Sequence, residues 1–413
     1  MINKKYSIGF IYCARDLLTL KKIFSNDYFH INNISKHFKK IYILNLTNLY
    51  FFKKKLKNPQ KVFAEYKFEK NIIFINFDNL NEFKNFFYEK SFLAILCMRR
   101  TISELFIYFQ LKRMNIKFFQ ISNIGNVQYS DKPVNGHIFK SFFAIYWKKF
   151  NHKLFIFLNK FGITPKIEIR FLSNSSWIKT SNNCNSAKKF LLKLFKFSYA
   201  KELIPINSRA YDLFKEQKLR INNKYIVLLE EFFDDPQYVE IRGYTNEKKL
   251  KIHYENLIQK LDIISKHYKK EIIICLHPSD NFKVKKKIFS KFKVKQFETK
   301  KYVYQSELVL FFESSAIIDA IMLKKKIITI NSKAMDESMI SHNLHYVNEI
   351  GIPMLNIDEK LNLDKKDFSM LKFDKKKIEL NYNRYIKKYI APDNTKILGH
   401  QKFAKIIKDR YMN

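Results

Sequence analysis

Glycine is scarce, with 7 in 413 residues. No Gly-rich loop of the dinucleotide-binding or ATP-binding kind can be read anywhere, so any phosphate would be met by helix starts and side chains. Cysteine is scarce too. The four thiols (Cys13, Cys97, Cys184 and Cys275) have no metal-ligand spacing and make no disulfide framework. Cys13, Cys97 and Cys275 fall in apolar, strand-like runs, where a small buried thiol is expected and a reducing compartment fits. No apolar run approaches the ~18–20 residues of a membrane span. The run Ile8–Ala14 is short and has no convincing cleavage site, so no signal peptide is read. The expectation is a cytoplasmic protein that could also sit at the inner membrane face. Acid is in deficit: 38 Asp plus Glu stand against 77 Lys plus Arg, a net charge of +39. Such a surface attracts anionic partners. The lysines are scattered rather than gathered in a tail, and the abundance of Lys, Ile, Asn, Phe and Tyr is what AT-rich coding gives.

What is present is a chain able to bury sizeable cores. It is 46% hydrophobic and long enough for two or three domains. Apolar runs at Ile8–Cys13, Ile41–Leu46, Ile72–Phe77, Phe92–Met98 and Phe118–Ser122 alternate with helical patterns. One of these helices opens on a capping box, Thr101-Ile-Ser-Glu104, and runs to about Met114. This alternation argues a Rossmann-like sheet without its glycine fingerprint. Residues 137–161 interleave Phe139, Phe142, Phe143, Tyr146, Trp147, Phe150, Phe155, Phe157 and Phe161 with lysines. They could lie on an anionic membrane surface or pack as a hairpin on the first sheet. Residues 166–171 alternate like a strand, 173–186 read as a loop, and a helix is expected over Ala187–Phe197. The crossing to a second domain is expected between 200 and 222.

The second domain opens on a strand, Lys224–Leu229, which ends in Glu230, Glu231, Asp234 and Asp235. These acids could act as a base or hold a divalent ion, but a solvated loop balancing nearby lysines is the favoured reading. A helix runs from about Lys249 to Lys269. The organising stretch follows: Glu-Ile-Ile-Ile-Cys-Leu-His-Pro-Ser-Asp over 271–280, then Leu-Val-Leu-Phe-Phe-Glu-Ser-Ser over 308–315 leading into a helix, then Lys-Lys-Lys-Ile-Ile-Thr-Ile over 324–330. Short continuous apolar runs of this kind suit parallel strands buried on both faces, and such sheets bind ligands beyond the carboxyl ends of their strands. His277 and Pro278 stand at one such end, and Glu313, Ser314 and Ser315 at what is expected to be an adjacent one. An imidazole beside a hydroxyl-bearing helix start suits a phosphate.

Those residues carry a resemblance over roughly 225–335. The order strand, His-Pro, helix, strand, Ser-Ser, helix, strand resembles the C-terminal half of bacterial surface-polysaccharide glycosyltransferases of the GT-B-like kind. It is similar in layout to bacterial sialyl- and polysialyltransferases, and more distantly to the glycerophosphotransferases of wall teichoic acid. The helix Tyr254–Tyr268 and the tripeptide Phe297-Glu298-Thr299 look like capsule and lipopolysaccharide biosynthesis proteins. The resemblance implies an α/β fold of two Rossmann-like domains facing across a cleft: an N-terminal acceptor domain over 1–210, a nucleotide-sugar domain over 211–375, and C-terminal helices over 376–413. It implies donor contacts from His277, Pro278, Glu298, Thr299, Glu313, Ser314 and Ser315, with His277 also catalytic. The related sialyltransferases carry a general-base acid near the last strand of the first domain. This chain has Gly125 there and no acid until Asp131, so Asp131 or Asp16 would have to substitute, although each reads more simply as a loop carboxylate or helix cap.

The implied activity is transfer of a sugar from a nucleotide-activated donor, with CMP as one candidate carrier, to a glycan or glycolipid acceptor. No cofactor and no metal are expected; His342 and His345 lack a third ligand at metal spacing. Two other readings stay open. One is a non-catalytic basic protein that binds nucleic acid or anionic membrane, although no nucleic-acid motif is present and no nucleic-acid partner is expected. The other is an epimerase or hydrolase of nucleotide sugars.

Overall fold

The computed structural model describes residues 7–12, 31–49, 58–88, 92–97, 105–114, 116–122, 150, 154, 157–158, 161–164, 166–174, 200–217, 220–230, 247–278, 280–312, 314–335, 337–359, 373–393 and 395–412. They divide into two compact units.

The first unit holds a seven-stranded sheet. Its elements in chain order are β1 (Ser7–Tyr12), α1 (Ile31–Ser35), β2 (Ile41–Asn45), α2 (Pro59–Ala64), β3 (Ile72–Asn76), α3 (Leu80–Tyr88), β4 (Phe92–Leu96), α4 (Leu105–Arg113), β5 (Lys117–Ser122), β6 (Ile167–Leu172), β7 (Ala200–Pro205) and the first half of α5 (Arg209–Glu216), whose residues from Leu213 on belong to the second unit. The sheet order is β3-β2-β1-β4-β5-β6-β7, and every pairing is parallel. The central strands are apolar on both faces because both are covered. Phe10, Ile43 and Phe171 face one layer, and Ile11, Leu44 and Leu96 the other. Strand β7 escapes a sequence reading: Ala-Lys-Glu-Leu-Ile-Pro is half-exposed, lies at the sheet edge, and ends on a proline, which only an edge strand tolerates.

The second unit continues with β8 (Tyr225–Leu229), α6 (Glu247–Tyr268), β9 (Ile272–Leu276), α7 (Phe282–Ile288), β10 (Lys293–Gln296), α8 (Thr299–Tyr304), β11 (Ser306–Phe311), α9 (Ile317–Met322), β12 (Lys326–Asn331), α10 (Glu337–Ile350), β13 (Met354–Asn356) and α11 (Lys375–Tyr385). Its order is β10-β9-β8-β11-β12-β13, again all parallel. This is the doubly wound arrangement, which reverses direction at its first strand, between β8 and β11. Helix α6 lays Tyr254, Leu257, Leu261 and Ile264 on Ile226, Ile274 and Leu310. Both units are therefore of the expected α/β class.

The last helix, α12 (Gly399–Tyr411), belongs to the first unit, where Phe403, Ala404 and Ile407 join the core that contains Phe171. The Asp212 carboxylate accepts from the Gly399 and His400 backbone N–H groups at 2.8 and 3.1 Å, and bonds the His400 Nδ1 at 2.9 Å. Gly399 is required by proximity, because a Cβ there would lie 2.1 Å from the Asn207 carbonyl oxygen. Among the described residues no helix is long and apolar enough to cross a membrane.

Candidate functional site

The register builds the site. Leu229 of β8 pairs with Cys275 of β9, Leu276 of β9 with Gln296 of β10, and Phe311 of β11 with Leu229. One step further along each strand, Glu230, His277, Phe297 and Phe312 leave the sheet together at its carboxyl edge. His277 and Ser314 flank this edge but do not stand on neighbouring strands. Strand β8 runs between β9 and β11, so their strand ends are two spacings apart, roughly 10 Å. The expectation of adjacent ends is corrected for a topological reason. Chain order puts the first strand of a doubly wound sheet in the middle, and sequence proximity hides it.

The His-Pro loop is tightly held. The His277 N–H donates to the Asp280 carboxylate at 2.9 Å, and the Asp280 N–H returns a bond to the His277 carbonyl at 3.0 Å. The Gln296 amide reaches three carbonyls of the same loop, those of His277, Pro278 and Asp280, at 3.1, 3.4 and 3.0 Å. The side chain of Asp280 is itself buried and lies 3.8 Å from the Lys285 ammonium. Lys285 is fully buried. It donates to Glu230 at 2.8 Å and to the Tyr254 hydroxyl, which also donates to Glu230. Tyr254 thus joins two charged groups that would be costly to bury apart.

Why a lysine points inward is readable in α7. Asn281 caps the helix, accepting from the Val284 N–H at 3.3 Å. Counting back three and four residues from Ile288 and Phe289, the inward stripe falls on Lys285, while Lys283, Lys286 and Lys287 stay exposed. In the sequence this stretch reads only as the helix after His-Pro; the stripe was the available signal. Tyr254 and Asp280 were missed too, and a solvated loop was favoured for Glu230, which is instead buried and paired. Glu231, Asp234 and Asp235 lie outside the described residues.

Across β8, His253 of α6 bonds the Ser332 hydroxyl at 2.9 Å and rests against Phe312, with ring centroids 5.5 Å apart. Burial, with the nearby Lys285 charge, pulls its pKa down to about 4, so the imidazole is neutral near pH 7. Ser314 and Ser315 stand in the turn before α9. The Ser314 hydroxyl accepts from the Ala316 N–H at 3.4 Å, and the helix begins only at Ile317 and lasts six residues. So short a helix has few aligned peptides, which leaves hydroxyls rather than dipole as the polar offering.

The remaining expected residues fall as follows. Pro278 is exposed in the loop. Glu298 precedes α8 and pairs with Lys301 at 2.8 Å and Lys295 at 3.4 Å; the Lys301 hydrogen bond holds its carboxyl below the usual range. Thr299 hydrogen-bonds the Cys275 thiol, which burial pushes up to about 12. Asp16, Asp131 and Glu313 lie outside the described residues, as do the capping box at Thr101–Glu104, the helix expected over 187–197 and most of 137–161. Within the last segment, Phe150, Phe157 and Phe161 are exposed. Among the described residues no group of three or more His, Cys, Asp or Glu side chains could hold a metal ion.

No protein-family model matches this chain, and no curated protein matches it in sequence. Solved structures similar to it include a protein provisionally named as a UDP-N-acetylglucosamine 2-epimerase from Listeria monocytogenes, at 10% identity and a TM-score of 0.49, covering 98% of this chain and 96% of that one. Another is the wall teichoic acid polymerase TagF, at 11% identity and 0.47, covering 98% and 89%. A third is HepE from Anabaena, in complex with UDP and glucose, at 9% identity and 0.45, covering 98% and 100%. Identities this low assign no residue a role.

Proposed function

We propose that the carboxyl edge of the second sheet binds the phosphate of a nucleotide-activated sugar, and that the protein transfers the sugar to a surface glycan. The observation that carries this reading is the His277 loop. It sits beside the switch point of a doubly wound sheet, and its backbone is fixed by Asp280 and Gln296. A loop fixed before ligand arrives presents its groups at little reorganisation cost, which is the condition for stabilising charge that develops in a transition state.

In the proposed reaction the bond between the anomeric carbon and the donor phosphate oxygen breaks, and its electron pair stays on the phosphate. The acceptor oxygen bonds the anomeric carbon, and its proton passes to a carboxylate, for which Asp16 and Asp131 remain the proposed candidates. The His277 imidazole and the Ser314 and Ser315 hydroxyls would meet the growing phosphate charge, favouring the transition state over the ground state. A CMP-linked, sialyltransferase-like donor is the first to test, with an acceptor in capsule or lipopolysaccharide synthesis. A charge of +39 favours an acidic glycan or an anionic membrane surface.

His277→Ala should abolish transfer while the unfolding transition stays in place. Product analysis of the wild type decides the reaction: sugar on an acceptor supports transfer, whereas an isomerised or freed sugar would replace it with epimerisation or hydrolysis. Undiminished turnover in the variant would remove His277 from the mechanism.

A further inference from the structure

Strand β10 ends on a residue its backbone should not favour. Phe297 has φ 66, in the left-handed region that glycine or asparagine takes with less strain. Of the other described non-glycine residues with positive φ, Lys269 and Lys324 close helices and Asn58 opens one. Phe297 is the aromatic member of this set, and it lies between a strand and a helix. It is also 76% exposed, more than any other large apolar side chain among the described residues. Its ring makes no contact with another described ring.

The strain is sustained from both sides. Gln296 before it is tied by its amide to the carbonyls of His277, Pro278 and Asp280, and Glu298 after it is paired with Lys295 and Lys301. An outlier that its surroundings enforce is a candidate for function. Its position names the function. Because Gln296 pairs with Leu276, Phe297 leaves the sheet alongside His277, about one strand spacing (~4.8 Å) away. A flat apolar ring, its backbone held, thus stands in water next to the loop that, on the reading above, meets the phosphate.

Resting on that nucleotide reading, we propose that Phe297 is the platform on which the nucleobase of the bound nucleotide stacks. The ligand class is a planar heterocycle carried a ribose away from an anion. Stacking uses the face of the base rather than its edge, so it holds any base without selecting one.

The test is calorimetric titration of the full chain, as wild type, Phe297→Ala and Phe297→Trp. The ligands are CMP, CDP, UDP and GDP, together with inorganic pyrophosphate read directly or by displacement of the bound nucleotide. For a nucleotide that the wild type binds, the alanine variant should bind about tenfold more weakly, as loss of a base–aromatic stack predicts. The tryptophan variant should bind at least as well as wild type, and pyrophosphate should be unaffected. Nucleotide affinity unchanged in Phe297→Ala overturns the platform and leaves the phosphate site standing. An equal loss for pyrophosphate also overturns it, since the ring would then only shape the loop. Absence of nucleotide binding in the wild type overturns the platform and the nucleotide reading together.

Discussion

Two buried lysines stand at opposite edges of the second sheet, and they are held in opposite ways. Lys325 lies at the amino edge, just before β12. It donates to the Asn222 carbonyl at 3.1 Å, the Asn223 side-chain oxygen at 3.2 Å, the Tyr304 carbonyl at 3.2 Å and the Ser306 carbonyl. These are neutral acceptors, and burial pulls its pKa down. Lys285 lies at the carboxyl edge and faces two carboxylates, Glu230 and Asp280, and the Tyr254 hydroxyl bonds both the lysine and Glu230. The first lysine fastens strand and helix ends to one another. The second neutralises buried acid, and one of those acids holds the backbone of His277. At the amino edge a lysine donating to neutral oxygens is enough to close the sheet. At the carboxyl edge a charged network has been placed where an apolar one would cost less to bury, and the loop it anchors carries the candidate chemistry.

The contrast can be tested by substitution. Lys285→Met strands two buried carboxylates, and urea denaturation should show the largest effect, a loss of about 3–5 kcal/mol. His253, beside the same network, should give the next. Its folded pKa is about 4 against an ordinary 6.5, so the unfolded chain binds the extra proton first. Stability from this group is then fully present above pH 6.5 and lost as pH falls towards 4, by roughly 3 kcal/mol. Denaturation curves across that range should show a slope that His253→Gln reduces. Lys325→Met should cost less, about 1–3 kcal/mol, because the oxygens it leaves are neutral. It should also leave nucleotide binding unchanged. If Lys325→Met proved the more destabilising, or if it alone impaired binding, the two edges would not differ as described.

The parts legible in the sequence were those whose physics is continuous along the chain. Central strands such as Ile272–Leu276, and β11 from Leu308 on, read as apolar runs because both faces are covered. The edge strands of the second sheet were not legible, although β3 at the edge of the first was. Lys293–Gln296 and Met354–Asn356 are short and half-polar, and nothing in Lys-Val-Lys-Gln marks a strand until β9 is beside it. The site was half legible for a similar reason. His277, Ser314 and Ser315 announce themselves at strand ends, yet their separation by β8 is a property of topology. Lys285 was one lysine among many in a chain bearing +39, and only its spacing from Ile288 and Phe289 set it apart. Phe297 was written in the sequence, but its exposure and its φ were not.

The most direct measurement is a nucleotide thermal-shift screen on wild type and His277→Ala, with CMP, CDP, UDP and GDP each in large excess. A ligand at about 100 times its dissociation constant adds about 2.7 kcal/mol to the folded state, so the wild-type midpoint should rise clearly with at least one of the four. The variant should unfold at the same temperature as the unliganded wild type and gain nothing from that nucleotide. A wild type that none of the four stabilises, or a His277→Ala variant stabilised as strongly as the wild type, would contradict a phosphate site at the carboxyl edge of the second sheet.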